Sequence, residues 1–415
     1  MHPVRRFHSW HISRDSDVAS QNRSDHPELR SAEKIMPMEL WQDIFRYISD
    51  PVDSRIQVQA TLSSTIRVCR LWHALSLRAL YVQPSPTNQK SCRLLLRTLK
   101  SNPSLVTLVE ELTLPEPWRR STSENDRNGR HRALHAKLIS ICTGIQRLDI
   151  PTYKIRHNFS LPLTPSALPH LSSLHLTNVR HRQSSRRCRF ELCSSAPRGQ
   201  SFLDLPIKEL TLSQYDFDML RSRTGRIVPT VIERRGRWAL RNLTLDSCEI
   251  WGPQFSHFLD LFRDTLRELR LINCSYPLTH PNLIPRALDL LRNLESVCLR
   301  GVSNYKDEIG PSLARMGKLH TLEIDSTSFR QSILDNPLLK LRRLIIATDP
   351  PSIGFQPMIL GLIACKFSFV PNIDTLDFCG PSWEPHLFKS AVVAALSDRC
   401  CEVFFVARNR KHQYL

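Results

Sequence analysis

Residues 240–250, LRNLTLDSCEI, and residues 266–274, LRELRLINC, decide the fold. Each places apolar residues at the first, fourth and sixth positions of a hexad and a cysteine three positions further on, Cys248 and Cys274. In extended chain, alternate side chains face opposite ways. Leu243 and Leu245, like Leu269 and Leu271, therefore face inward, while Thr244 and Arg270 between them point away. A strand this short cannot bury its apolar face alone; it needs copies of itself alongside.

The copies are present on both sides: VEELTL from Val109, IQRLDI from Ile145, LSSLHL from Leu171, IKELTL from Ile207, LESVCL from Leu294, LHTLEI from Leu319, LRRLII from Leu341, IDTLDF from Ile373 and CEVFFV from Cys401. Their fourth positions run Leu112, Leu148, Leu174, Leu210, Leu243, Leu269, Val297, Leu322, Leu344, Leu376 and Phe404, 22 to 36 residues apart. Between them lie helix-like segments: Ala133–Ile141, Phe255–Phe262, Leu283–Leu291, Ile309–Met316, Pro357–Ala364 and Phe388–Leu396. The pattern predicts an α/β stack in which each strand returns through a helix that covers it. Over roughly residues 105 to 409 the chain resembles the leucine-rich-repeat family, whose Asn or Cys past the strand ties the turn. That slot holds Cys248, Cys274 and Asn409, but Val179, Tyr215, Val302, Thr327 and Asp349 elsewhere, so an irregular solenoid is expected, parallel strands concave and helices convex. The residues aimed at the concave face, His175, Thr211, Thr244, Arg270, Glu323 and Asp377, are the expected contacts for a target protein.

Ahead of the repeats, Met36 to Tyr81 reads as two packed helices. MPMELWQDIFRYIS sets Leu40, Ile44 and Ile48 in one stripe beside Trp41 and Phe45, and TIRVCRLWHALSLRALY aligns Val68, Leu71, Trp72, Leu75 and Ala79, with Ser49–Thr65 as a long middle. About 45 residues are marginal without a partner or neighbouring domain. Pro37, Glu39 and Leu40, then Ile44 and Phe45, then Val68, Cys69, Arg70 and Trp72 resemble an F-box. That resemblance implies docking on a Skp-family adaptor, and through it a cullin, by Pro37, Leu40, Ile44, Phe45, Val68, Leu71 and Trp72. The competing reading is a helical cap on the repeats.

The division expected is a disordered tail over 1–35, a helical module over 36–81 and repeats over 82–415, with basic insertions near 180–200 and 221–237. The chain has 415 residues and a net charge of +18. Residues 82–241 carry 27 Lys and Arg against 12 acids, whereas residues 242–415 carry 19 against 18. The excess concentrates in RHRQSSRRCR and in Arg221 to Arg237, which suits an acidic or phosphorylated target; neither cluster interleaves aromatics for base stacking. Twelve cysteines without a Cys-x-x-Cys pair suggest buried thiols in a reducing compartment. No apolar leader and no membrane-length run occurs, so a cytoplasmic or nuclear protein is expected.

Catalytic motifs are missing. Twelve glycines, none closer than seven positions, exclude the P-loop, the dinucleotide fingerprint and the nucleophile elbow. His131 with His135, and Cys188 with Cys193 and His181, lack further metal ligands at suitable spacing. The expectation is a protein that is not an enzyme, without cofactor or metal: the substrate-recognition subunit of an SCF-type ubiquitin ligase. The alternative is a repeat scaffold that binds nucleic acid through its basic face.

Overall fold

The computed structural model describes residues 36–49, 55–115, 124–152, 163–178, 205–215, 239–250, 252–275, 282–302, 309–347, 355–365, 367–380, 388–398 and 401–406. The tail over 1–35, both basic insertions, Cys188, Cys193, His181 and Asn409 lie outside these residues.

The chain opens with α1 (Met38–Ser49), α2 (Arg55–Thr65) and α3 (Arg70–Val82), so the helix pair read from sequence is three helices. The long middle forms the additional one. The last helix begins at Arg70 because Cys69 caps it, its Sγ accepting from Trp72 N–H at 3.4 Å. Val68 therefore precedes the helix and does not share its face. A fourth helix, α4 (Gln89–Ser101), starts with a reciprocal capping box between Asn88 and Ser91, followed by α5 (Pro103–Val106).

Behind them runs one eleven-stranded sheet, every neighbouring pair parallel and every strand beside its sequence neighbours. The strands are β1 (Glu111–Thr113), β2 (Arg147–Thr152), β3 (Ser173–Asn178), β4 (Glu209–Ser213), β5 (Asn242–Asp246), β6 (Glu268–Ile272), β7 (Ser296–Arg300), β8 (Thr321–Ile324), β9 (Arg343–Ile346), β10 (Thr375–Cys379) and β11 (Glu402–Val406). The described helices between them are α6 (Glu124–Ile141), α7 (Gly252–Asp260), α8 (Leu283–Leu290), α9 (Ile309–Ala314), α10 (Ser332–Asp335), α11 (Phe355–Ala364) and α12 (Phe388–Ala395). Such sequential parallel pairing is the topology of a leucine-rich-type α/β solenoid.

Two hydrogen-bond patterns repeat along the stack. The carbonyl of the hexad's second residue accepts two N–H groups from the next repeat: Ser172 O from Lys208 and Glu209, Lys208 O from Arg241 and Asn242, and so on through Arg342 O, which accepts from Asp374 and Thr375. Four consecutive strands also exit through a left-handed residue, Gln214, Ser247, Asn273 and Gly301, with φ of 64, 53, 51 and 62°. The first three donate their N–H to the carbonyls of Asp246, Ile272 and Arg300 at 2.8, 2.7 and 2.6 Å. Gly301 donates to Asp325 Oδ2 at 2.7 Å, and a Cβ there would press on Asn273. The turn slot behaves as its residue type predicts: Cys248 Sγ donates to Leu212 O at 3.2 Å and Cys274 Sγ to Leu245 O at 3.3 Å. In the β8 repeat that role shifts one residue beyond Thr327, to buried Ser328, whose Oγ accepts from Val302 N–H at 3.0 Å.

The core is the column of fourth and sixth hexad residues: Leu148, Leu174, Leu243, Leu269, Val297, Leu322, Leu344 and Leu376 are fully buried. The amino-terminal end is closed by α3 and α4, with Glu110 N–H bonded to Val82 O at 3.0 Å and Cys92 and Leu99 buried against the first repeats. Burial pushes the Cys92 thiol up to about 12, so it packs as a small apolar group. The last repeat needs a correction: Leu376 pairs with Val403, and Phe404 pairs with Asp377. One residue of slip turns every side chain over. Val403 and Phe405 thus face the core, Phe405 stacking on Phe378 at 5.1 Å, and Phe404 is 45% exposed on the concave side.

Candidate functional site

The residues between the inward leucines line up across the sheet as Thr113, Asp149, His175, Thr211, Thr244, Arg270, Cys298, Glu323, Ile345, Asp377 and Phe404. All six residues expected on the concave face lie in this column. His175, Thr211, Thr244 and Arg270 are half-buried there. Glu323 and Asp377, expected to be open to a target, are buried at 3% and 4% exposure. Neighbouring strands stand about 4.8 Å apart, close enough for long basic side chains to fold over an acid on another strand.

Glu323 is covered by Arg270, whose Nη2 lies 3.0 Å from Oε2, and by Arg300, whose Nη1 lies 3.4 Å from Oε1. Arg270 also reaches Glu268 at 3.3 Å. Cys298 sits between the charges; its thiol is pushed up by burial and then by the Glu323 carboxylate, while Arg270 and Arg300 pull the other way. Asp377 is held by Arg343 at 2.7 Å. These acids anchor arginines, and the arginine heads form that part of the surface.

The amino-terminal half is assembled differently. Asp149 Oδ1 lies 2.7 Å from His175 Nδ1, and His175 Nε2 lies 3.1 Å from Ser213 Oγ and 3.2 Å from Thr177 Oγ1. Thr113 Oγ1 donates to Asp149 Oδ2 at 3.4 Å. One strand further on, burial raises the Asp246 carboxyl above its ordinary range, opposed by the Ser247 hydroxyl, the His175 charge and the Asn273 side chain. Asp149 was legible by the rule that selected His175, since LDI repeats the LHL pattern. Ser213 and Thr177 lie two positions beyond that column and required the tertiary register.

On the helical module the seven expected contacts separate into two groups. Phe45 is buried, and Trp72 is half-buried with its ring centroid 5.3 Å from Trp41 and 5.8 Å from Phe45, both edge-on. Those rings hold the helices together. Leu40, Ile44 and Val68 are 51%, 39% and 60% exposed, Pro37 is exposed, and Leu71 is half-buried. The carbonyl of Pro37 accepts the Leu40 and Trp41 N–H groups at 3.1 and 3.4 Å and so starts α1.

No metal-ligand group of three or more His, Cys, Asp or Glu converges among the described residues, where His135 is buried. No described helix is long and apolar enough to cross a membrane.

Fold and concave face together define a leucine-rich-type repeat protein. No family model matches the chain. No curated protein matches it either. Among solved structures it is similar to the crystal structure of a TLR13–ssRNA13 complex, at 16% identity over 75% of this chain and 52% of that one, with a TM-score of 0.31. The chain thus spans about half the length of that protein. The repeat assignment rests on the sheet's own register.

Proposed function

We propose that the chain is a substrate-recognition subunit of an SCF-type ubiquitin ligase. Its amino-terminal helices dock on a Skp-family adaptor, which links to a cullin, and its repeats hold the target protein. The observation that carries this reading is the division of α1: Trp41 and Phe45 pack onto Trp72, while Leu40 and Ile44, one turn apart, stand 51% and 39% exposed with Val68 beyond them at 60%. An apolar surface left open on a small helical block is what a partner covers. In this reading the chain contributes no residue to ubiquitin transfer and needs no cofactor. On the concave side the available contacts are His175, Thr211, Thr244 and Arg270, with Glu323 and Asp377 acting through the arginines they fix.

The test is co-purification of the full chain with a Skp-family adaptor. Leu40→Ala with Ile44→Ala leaves the Trp41–Phe45–Trp72 packing intact, so folding and docking separate, as they do not for Trp72→Ala. If this pair forms a hot spot worth about 2 kcal/mol or more, adaptor recovery falls at least tenfold. Undiminished recovery overturns the reading. Recovery of RNA or DNA without adaptor points instead to the nucleic-acid scaffold.

A further inference from the structure

Helix α4 carries Lys90, Arg93, Arg97 and Lys100 at steps of three, four and three residues. The helical turn puts this spacing on one face, with Leu94 among the cations, in a row about 15 Å long. All five side chains are exposed, Leu94 at 44%. The opposite face, with Cys92, Leu95, Leu96 and Leu99, packs on the first repeats, so the row faces away from the stack. Like charges one turn apart repel, and cations in the first turn of a helix oppose its dipole. Nothing nearby in the chain relieves this: residues 54–109 hold eight Lys and Arg and no Asp or Glu, and no ion pair reaches the four cations among the described residues.

We propose that this face of α4 rests on an anionic lipid bilayer, with the four cations at the headgroups and Leu94 reaching the acyl boundary. A straight row on one helix face meets a flat surface along its whole length, and a helix lying in a membrane interface combines cations with an apolar side chain in this way. A nucleic-acid backbone offers an exposed leucine nothing apolar, and α4 has no aromatic ring for base stacking. A protein partner would be held by an aromatic anchor or by charges of both signs, and the row has neither. Near an anionic leaflet each Lys or Arg strengthens binding about fivefold, within a Debye length of about 8 Å at physiological salt. The remaining apolar surface of α4 is committed to the repeats, so the attachment is electrostatic and reversible, not an insertion.

This inference stands apart from adaptor docking, which uses Leu40 and Ile44 of α1. Its test sediments the full chain with phosphatidylcholine vesicles, with and without phosphatidylserine, across a salt series. Binding is expected only to the vesicles that contain phosphatidylserine, and it weakens as salt rises. Arg93→Gln with Arg97→Gln is expected to lower it about 25-fold, whereas Arg93→Lys with Arg97→Lys keeps it. Leu94→Ser is expected to lower it about fivefold, while Leu40→Ala with Ile44→Ala leaves it unchanged. Thermal melts check that these exposed substitutions leave the fold intact. Absence of binding to the anionic vesicles, or equal binding to both kinds, overturns the proposal. So does a short DNA duplex that strips the chain from the vesicles and binds Leu94→Ser as well as the natural sequence, which assigns the row to nucleic acid instead.

Discussion

The two halves of the concave face solve the same problem with different chemistry. Across β2 to β5 the polar side chains are short, and an aspartate, an imidazole and hydroxyls lie against one another at 2.7 to 3.4 Å. Across β6 to β10 the acids are sealed beneath arginines from other strands: Glu323 under Arg270 and Arg300, Asp377 under Arg343. The first arrangement leaves an imidazole open to solvent; the second spends its charges on one another. A residue that points away from the core is therefore not by that fact a contact residue, because a neighbouring strand supplies a cover.

The largest effect that would break this contrast is expected from Glu323→Ala. Removing one member of a buried ion pair leaves its partners uncompensated, at roughly 3–5 kcal/mol for a fully enclosed pair; Arg270 keeps 32% of its side chain in water, so the lower end, about 3 kcal/mol, applies. Urea unfolding at neutral pH measures it, and a loss below about 1 kcal/mol would mean that the arginines simply turn into solvent.

A smaller effect sharpens where the column ends. Phe405→Ala is expected to cost about 2 kcal/mol because that ring is half-buried and stacked on Phe378, whereas Phe404→Ala should stay within about 0.5 kcal/mol. The reverse order in thermal melts would restore the register suggested by CEVFFV.

The smallest concerns Asp246. Its folded carboxyl is raised by burial, so its favourable contribution is full below the unfolded carboxylate range and is lost as pH rises through the folded value. Asp246→Asn should therefore gain on the natural protein as pH rises from 3 to 7. A difference independent of pH in paired unfolding curves would show that the Ser247 and Asn273 hydrogen bonds cancel the burial.

Much of the frame was legible because it depends on period alone. Phe255, Leu283, Ile309 and Phe388 each head a segment read as helical, and helices lie there at Gly252–Asp260, Leu283–Leu290, Ile309–Ala314 and Phe388–Ala395. Cys248 and Cys274 tie their turns as their spacing implies. Other features were not legible, for physical reasons. Phe404 and Phe405 are equally apolar, so alternation could not choose between them. Thr327 and Ser328 both carry a hydroxyl, and only burial distinguishes the one that caps the turn. Ser49–Thr65 has no sustained apolar stripe, yet its carboxyl-terminal portion forms a helix through tertiary contact, with Leu62 at 1% exposure.

By itself, then, the sequence determined the repeat: leucines two apart can be buried only when another strand lies beside them, and the hexads recur often enough to supply it. It also determined that an apolar helical block precedes the stack. Only the tertiary structure decided which apolar side chains of that block remain open, since Leu40 and Phe45 differ in packing and not in chemistry. It alone decided which acids are covered and which histidine is not. Those outcomes depend on what stands about 4.8 Å away on the next strand, which lies 22 to 36 residues distant along the chain.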